Sequence, residues 1–246
     1  MLWHEDCAFN GNELHWMLCM TKYIIGIWLT AVIAAAIMFP IVPAPQAWYE
    51  FPMIPGLEDR ARILFFHVPM SWVAVVAFLC SMFYGIRYVR TKNLQDDLKS
   101  VSSAGLGLLF CILATVTGSV WAKFNWGSFW NWDPRETSIF ILLLIYGAYF
   151  SLRSSITFEE KRATLSAAYA IIAGVTVPFF IFILPRMIAS LHPDPIVNTQ
   201  GKIHMNGTML AVFLSSLAGF TALFVWMLKL KVRAARIVED INSQGG

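Results

Sequence analysis

Residues 63–86 read ILFFHVPMSWVAVVAFLCSMFYGI, a stretch without one Asp, Glu, Lys or Arg. A run of about 20 apolar residues crosses a bilayer as an α-helix. Five comparable runs follow the same rule: Tyr23–Val42, Val101–Ala122, Pro134–Leu152, Ala163–Leu184 and Gly207–Leu228. They are continuous rather than alternating, which excludes a β-barrel. The bulk composition agrees: 58% of the 246 residues are hydrophobic and 13% charged, against about 25% charged in soluble domains. The chain therefore reads as an all-α integral membrane protein, a six-transmembrane-helix bundle forming a single membrane domain over residues 20–231.

The basic residues orient the bundle. Cytoplasmic loops are enriched in Lys and Arg. Lys22, the 87–99 link, the 153–162 link and the 229–236 segment together hold 12 of the 18 basic residues. Both termini are thus expected in the cytoplasm, with the loops 43–62, 123–133 and 185–206 facing out. Because these charges sit at helix ends, they suit lipid headgroups and not nucleic acid. Residues 232–246 read as a cytoplasmic tail. Residues 1–19 read as a disordered tail or an over-called start ahead of Met20. His4, Cys7, His15 and Cys19 fit no zinc spacing. The four cysteines include no C-x-x-C or C-x-x-C-H, so the chain is neither a c-type cytochrome nor a thiol oxidoreductase, and no disulfide framework is expected.

Residues 121–136 read WAKFNWGSFWNWDPRE and hold four of the ten tryptophans. An interfacial aromatic belt accounts for one or two tryptophans at a helix end, but not for Trp126, Trp130 and Trp132 within seven residues around Gly127. Such a cluster offers flat apolar faces to a flat apolar ligand, and a porphyrin is one. Asp133, Pro134 and Glu136 fit the N-cap, first and third positions of a helix, a D-x-x-E capping box. A rigid cap and a ligand platform are compatible roles.

Haem iron takes axial ligands, and imidazole is the commonest. Outside the N-terminal segment the histidines are His67, His192 and His204, all on or beside outward segments. Pro69 should bend the second helix and present His67 toward the loop. An ionisable residue near membrane depth is a functional candidate in its own right. His192 and His204 share one loop, and chemistry alone does not separate them. Haem propionates need cations, and Arg pairs well with carboxylates. Arg60, Arg62, Arg135 and Arg186 are outward, and Arg135 and Arg186 are the candidate propionate contacts.

The stretch WGSFWNWDPRET resembles the W-G-x-x-W-x-W-D signature of the tryptophan-rich-motif haem-handling proteins of cytochrome c biogenesis. Trp126, Gly127, Trp130, Trp132 and Asp133 match it. Six helices in this length resemble the haem exporter protein C (CcmC) group more than protein F or the synthase subunit, although Pro134–Thr137 is as similar to the synthase pattern. The resemblance spans Tyr23 to Lys231. It implies that His67, with Val68, Pro69 and Trp72, and His192, in S-L-H, are axial ligands to haem iron, with His204 the alternative to His192. It further implies non-covalent, transient haem b at the periplasmic face of a bacterial inner membrane. The haem would pass to a membrane-anchored periplasmic haem chaperone (CcmE), with ABC-type complex subunits and a small single-helix protein (CcmD) as partners. On this reading the chain is a haem-handling protein and not an enzyme. The alternative is a cytochrome c synthase-type haem lyase subunit, which shares the tryptophan loop. An electron-carrying cytochrome b would place histidines inside facing helices, and a haem-free transporter leaves the tryptophans unexplained.

Overall fold

A computed structural model describes residues 13–192 and 205–244, and these are nearly all helical. α1 (Glu13–Met38) is followed by two short strands, β1 (Ile41–Val42) and β2 (Phe51–Pro52), paired in parallel. A 3-10 helix (Glu58–Phe65) leads into α2 (His67–Thr91), then α3 (Leu94–Trp126) and α4 (Pro134–Ser154). α5 (Glu159–Pro178) passes through a π-helical turn (Phe179–Ile183) into α6 (Leu184–Met187), and α7 is Gly207–Gln244. Among the described residues, six helical stretches are long and apolar enough to cross a membrane. The chain is a multi-pass membrane protein.

Several boundaries differ from expectation for identifiable reasons. Pro69 does not bend a helix already under way. It lies in the first turn of α2, where its missing N–H is no loss, and the chain turns instead at Phe66, between the 3-10 helix and α2. The fifth run is not one uniform helix. Pro178 cannot donate its backbone bond, and a π-turn follows directly. The expected tails are partly helical. α1 already includes residues 13–19, and α7 continues through 232–244, because neither segment contains a Gly or Pro to stop it. Residues 1–12, with His4 and Cys7, lie outside the described residues, as do the side chains of His15 and Cys19.

Helices in a bilayer associate by close packing and hydrogen bonds rather than by the hydrophobic effect, which favours small residues at their interfaces. The centre of this bundle obeys that rule. Ala74, Ala77, Ala104, Ala170 and Ala173 are buried where α2, α3 and α5 meet, and the Ser100 hydroxyl donates to the Ser81 carbonyl at 2.8 Å. The Phe78 ring stacks on Tyr146 at 3.6 Å and fills the notch left by Gly107.

The two ends of the bundle are held differently. At the basic end, Asp96 and Asp97 are buried in the first turn of α3. Arg153 of α4 donates to both oxygens of Asp97, at 2.8 and 2.6 Å, the bidentate geometry guanidinium favours. At the tryptophan end, Arg62 donates to the Ala36 and Phe39 carbonyls, capping α1. Arg60 donates to the Phe124 carbonyl at the end of α3. Both arginines thus brace the proline-rich loop 43–62, which carries Pro43, Pro45, Pro52 and Pro55.

A methyl group on Gly107 would lie 2.5 Å from the Phe78 ring, whereas on Gly105 its one close contact would be the Lys231 ammonium, the far end of a flexible chain, with the Phe150 ring at an ordinary 3.6 Å. Phe78 is locked by Tyr146 and cannot give way. Gly107→Ala should therefore cost ~1–3 kcal/mol of stability, and Gly105→Ala close to nothing. Thermal unfolding of the two variants in detergent checks the difference.

Candidate functional site

The loop between α3 and α4 is built by local rules. α3 ends at Gly127, whose φ of 80° places it in the left-handed region that closes helices. α4 opens with the expected capping box. Arg135 N–H donates to Asp133, and Asp133 N–H donates back to Glu136 at 3.2 Å. Glu136 also accepts from Asn131 N–H at 2.7 Å.

Asp133 does more than cap. Its buried carboxylate, 3% exposed, also holds the distant segment 190–192. Leu191 N–H donates to Oδ2 at 2.7 Å, the Ser190 hydroxyl to Oδ2 at 2.8 Å, and His192 Nδ1–H to Oδ1 at 2.8 Å. Burial pushes the Asp133 carboxyl up. The N–H groups of Arg135 and Leu191, the Ser190 hydroxyl and His192 outweigh it and hold the carboxyl below its ordinary value. An ionised carboxylate only accepts, so His192 carries its proton on Nδ1 and turns Nε2 away from Asp133.

His192 itself is kept neutral. Burial is the largest cause, and the Arg135 charge adds to it. Asp133 and Glu136 pull the other way without prevailing, so the imidazole titrates below its usual range. Two indoles flank the ring. Trp126 meets it edge-on at 4.8 Å and Trp121 lies nearly parallel at 6.2 Å. Trp121 is fixed by donating Nε1–H to the Arg60 carbonyl at 3.0 Å. A cleft of about 340 Å³ opens here, between residues 54–57 of the proline-rich loop and Trp121, Asn125, Trp126 and Leu191. Its size is at the lower end of small-molecule sites, about 300–1,000 Å³.

His67 begins α2, and its ring lies against α3 where Gly118 leaves room. A Cβ at Gly118 would come within 2.9 Å of the ring. Its Nδ1 is 3.1 Å from Thr117 Oγ1. The Thr117 hydroxyl is itself in reach of the Leu113 and Ala114 carbonyls, and the Ala114 carbonyl also accepts from the His67 ring, an arrangement that suits a proton on Nδ1. His67 and His192 both pack on the last turns of α3, His67 at Thr117 and Gly118 and His192 at Trp121 and Trp126.

The remaining candidates divide. Trp130 and Trp132 do not join Trp126. They pack edge-to-face on each other and on Phe140 of α4, and Trp132 is 66% exposed with a φ of 55°. Arg186 is exposed and donates to the Phe182 carbonyl at 2.6 Å. His204 lies outside the described residues. Three residues of the site were not singled out from sequence: Trp121, Thr117 and Gly118. Trp121 carried a signal, as the first tryptophan of the dense stretch. Thr117 and Gly118 carried none, because small and hydroxyl residues are ordinary in membrane helices.

Among the described residues no three His, Cys, Asp or Glu gather as for a bare metal ion. Two free imidazole nitrogens suit instead a metal whose other positions are already filled, as in a porphyrin. The family model described as Heme exporter protein C (CcmC) matches residues 13–244. The chain belongs to the heme exporter protein C family. The Heme exporter protein C of Rhodobacter capsulatus is 24% identical over 202 residues, covering 82% of this chain and 84% of that protein. That of Haemophilus influenzae is 25% identical over 240 residues, covering 97% and 94%. A more local likeness links the chain to the Cytochrome c biogenesis protein CcsA of Pelargonium hortorum, 36% identical over 96 residues, 39% of this chain and 28% of that protein.

The electrostatics of His192 give a signed expectation. In ¹⁵N-histidine-labelled protein its ring should titrate below free histidine. Arg135→Gln should move the midpoint up by removing a like charge, and Asp133→Asn should move it down by removing an opposite one. Ring-nitrogen NMR over a pH series measures both shifts.

Proposed function

We propose that the chain binds haem non-covalently at its tryptophan end, with His67 and His192 as axial ligands, and presents it to a periplasmic acceptor during cytochrome c biogenesis. One observation carries this reading. Two imidazoles engaged through Nδ1 pack on the same end of α3, His67 at Thr117 and His192 at Trp121 and Trp126, in a chain of the heme exporter protein C family. Trp121 and Trp126 would form the wall of the haem pocket. Trp130, Trp132 and Gly127 would shape its rim, and Asp133 would orient a ligand rather than touch haem. His192 is preferred over His204 because Asp133 fixes its tautomer. Arg135, whose charge acts on His192, is one proposed propionate partner and Arg186 the other.

The excess of Lys and Arg at the opposite end supports placing that end and both termini in the cytoplasm, so the site faces the periplasm of a bacterial inner membrane. The family supports a role in handling haem rather than in catalysis. It also supports the proposed partners: the chaperone CcmE as acceptor, and the ABC-type subunits and CcmD as associates. The alternative, a synthase-type haem lyase subunit, draws on the local likeness to CcsA.

Purified in detergent and supplied with haem, the protein should give a six-coordinate, low-spin spectrum. His67→Ala or His192→Ala should each convert it to a five-coordinate form or lower haem retention. A protein that cannot take up haem would sink the reading. In cells, deletion should abolish haem loading of the chaperone. If the chaperone still loads while attachment to apocytochrome fails, the lyase alternative is the correct one.

A further inference from the structure

The two imidazoles are held by unequal acceptors. His192 Nδ1–H donates to a carboxylate, Asp133 Oδ1, at 2.8 Å. His67 Nδ1 faces neutral groups, Thr117 Oγ1 at 3.1 Å and the Ala114 backbone carbonyl. A hydrogen bond to an ionised acceptor is shorter and roughly twice as strong as one between neutral groups. An acceptor on the distal nitrogen of a ligating histidine also raises the basicity of the nitrogen that faces the metal. Asp133 therefore strengthens His192 as a donor more than Thr117 strengthens His67. The same carboxylate grips the loop around His192 through Leu191 N–H and the Ser190 hydroxyl, so the ring and its neighbours are positioned together. The second constraint on His67 is steric, the close approach of Gly118.

We propose that the two ligands differ in role: His192 is the retained ligand and His67 the exchangeable one, which leaves the iron when haem is handed on. This rests on the haem-binding reading above. The step is a ligand substitution without change of oxidation state. The bond from iron to His67 Nε2 breaks, its electron pair stays on the imidazole, and the lone pair of an incoming ligand forms the new bond. Throughout, His192 keeps the haem on the protein. Thr117 is then a positioning residue that sets how readily His67 leaves, and Asp133 one that sets the strength of the ligand that remains.

Carbon monoxide tests the assignment, because it replaces one axial ligand of ferrous haem and its iron–carbon stretch reports the ligand left opposite. In detergent-purified, haem-loaded protein the wild-type resonance Raman band should coincide with that of His67→Ala and differ from that of His192→Ala. Asp133→Asn should shift the wild-type band, and Thr117→Val should not. Asn is itself a favoured N-cap, so the start of α4 survives the first change. Thr117→Val should instead speed carbon monoxide binding by roughly five- to tenfold, the loss of about one hydrogen bond, and Thr117→Ser should restore the wild-type rate. A wild-type band matching His192→Ala, or one insensitive to Asp133→Asn, overturns the proposal. Failure of the underlying haem reading is seen earlier and separately. The protein would then take up no haem, or neither histidine variant would alter its spectrum before carbon monoxide is added, and both ideas would fall together.

Discussion

The Asp133 carboxylate is the point on which the tryptophan end of this bundle depends. A carboxylate offers about four lone-pair sites, and here they meet Arg135 N–H and Glu136 N–H of the capping box, the Ser190 hydroxyl, Leu191 N–H and His192 Nδ1–H. The group also sits at the N-terminus of α4, where the helix dipole favours an anion. Because it is buried, each of these contacts offsets a desolvation cost that would otherwise push the charge out or neutralise it. The start of α4, the 190–192 segment and the His192 ring therefore cannot be moved independently. One short acidic side chain converts a helix cap into the frame that holds His192.

That dual role bears on what could be read from the chain. The capping half of Asp133 follows from a local pattern, Asp-Pro-x-Glu ahead of an apolar run, and it is present as read. The half that holds His192 was not legible, since Asp133 and His192 are 59 positions apart and no local rule joins them. The same holds for His67 and Thr117, which are 50 apart. The six spans were legible because bilayer thickness imposes them on composition directly. The first turn of α2 was read as a kink because Pro69 admits two interpretations, a break within a helix or a residue of its opening turn. Only the direction of the chain before it, a 3-10 helix ending at Phe65, decides between them.

The tryptophans show how a backbone angle divides a motif that looks uniform in sequence. Trp126 closes α3 and remains on the side of Trp121 and His192. Gly127 then turns the chain, and Trp132 takes a left-handed φ of 55°, a conformation costing an L-residue with a side chain on the order of 1 kcal/mol or more. The turn persists because the surrounding bonds over-determine it. Glu136 binds the amides on either side of Trp132, and Thr137 donates to its carbonyl. Trp130 and Trp132 are thereby folded back onto Phe140. The density of indoles in the sequence thus corresponds to two groups, an inner pair around the imidazole and an outer pair at the surface.

The contrast between the two ends of the bundle carries the final step. At the basic end a bidentate Arg153–Asp97 pair, largely withdrawn from water, joins α3 to α4. Separating such a pair leaves an uncompensated buried charge, which is strongly unfavourable. At the tryptophan end, helices that are far apart in sequence meet through single hydrogen bonds from loops: Arg60 to Phe124, Trp121 to Arg60, Thr208 to Trp48. The neutral ones are worth about 1 kcal/mol net each and the one from the charged Arg60 about 1.5–3, less than the cost of separating the buried ion pair. On the proposed reading, a protein that accepts a large flat ligand and then gives it up needs one end that does not move and another that adjusts in small steps. Charge pairing supplies the first, and individually weak loop contacts arranged around one saturated carboxylate supply the second.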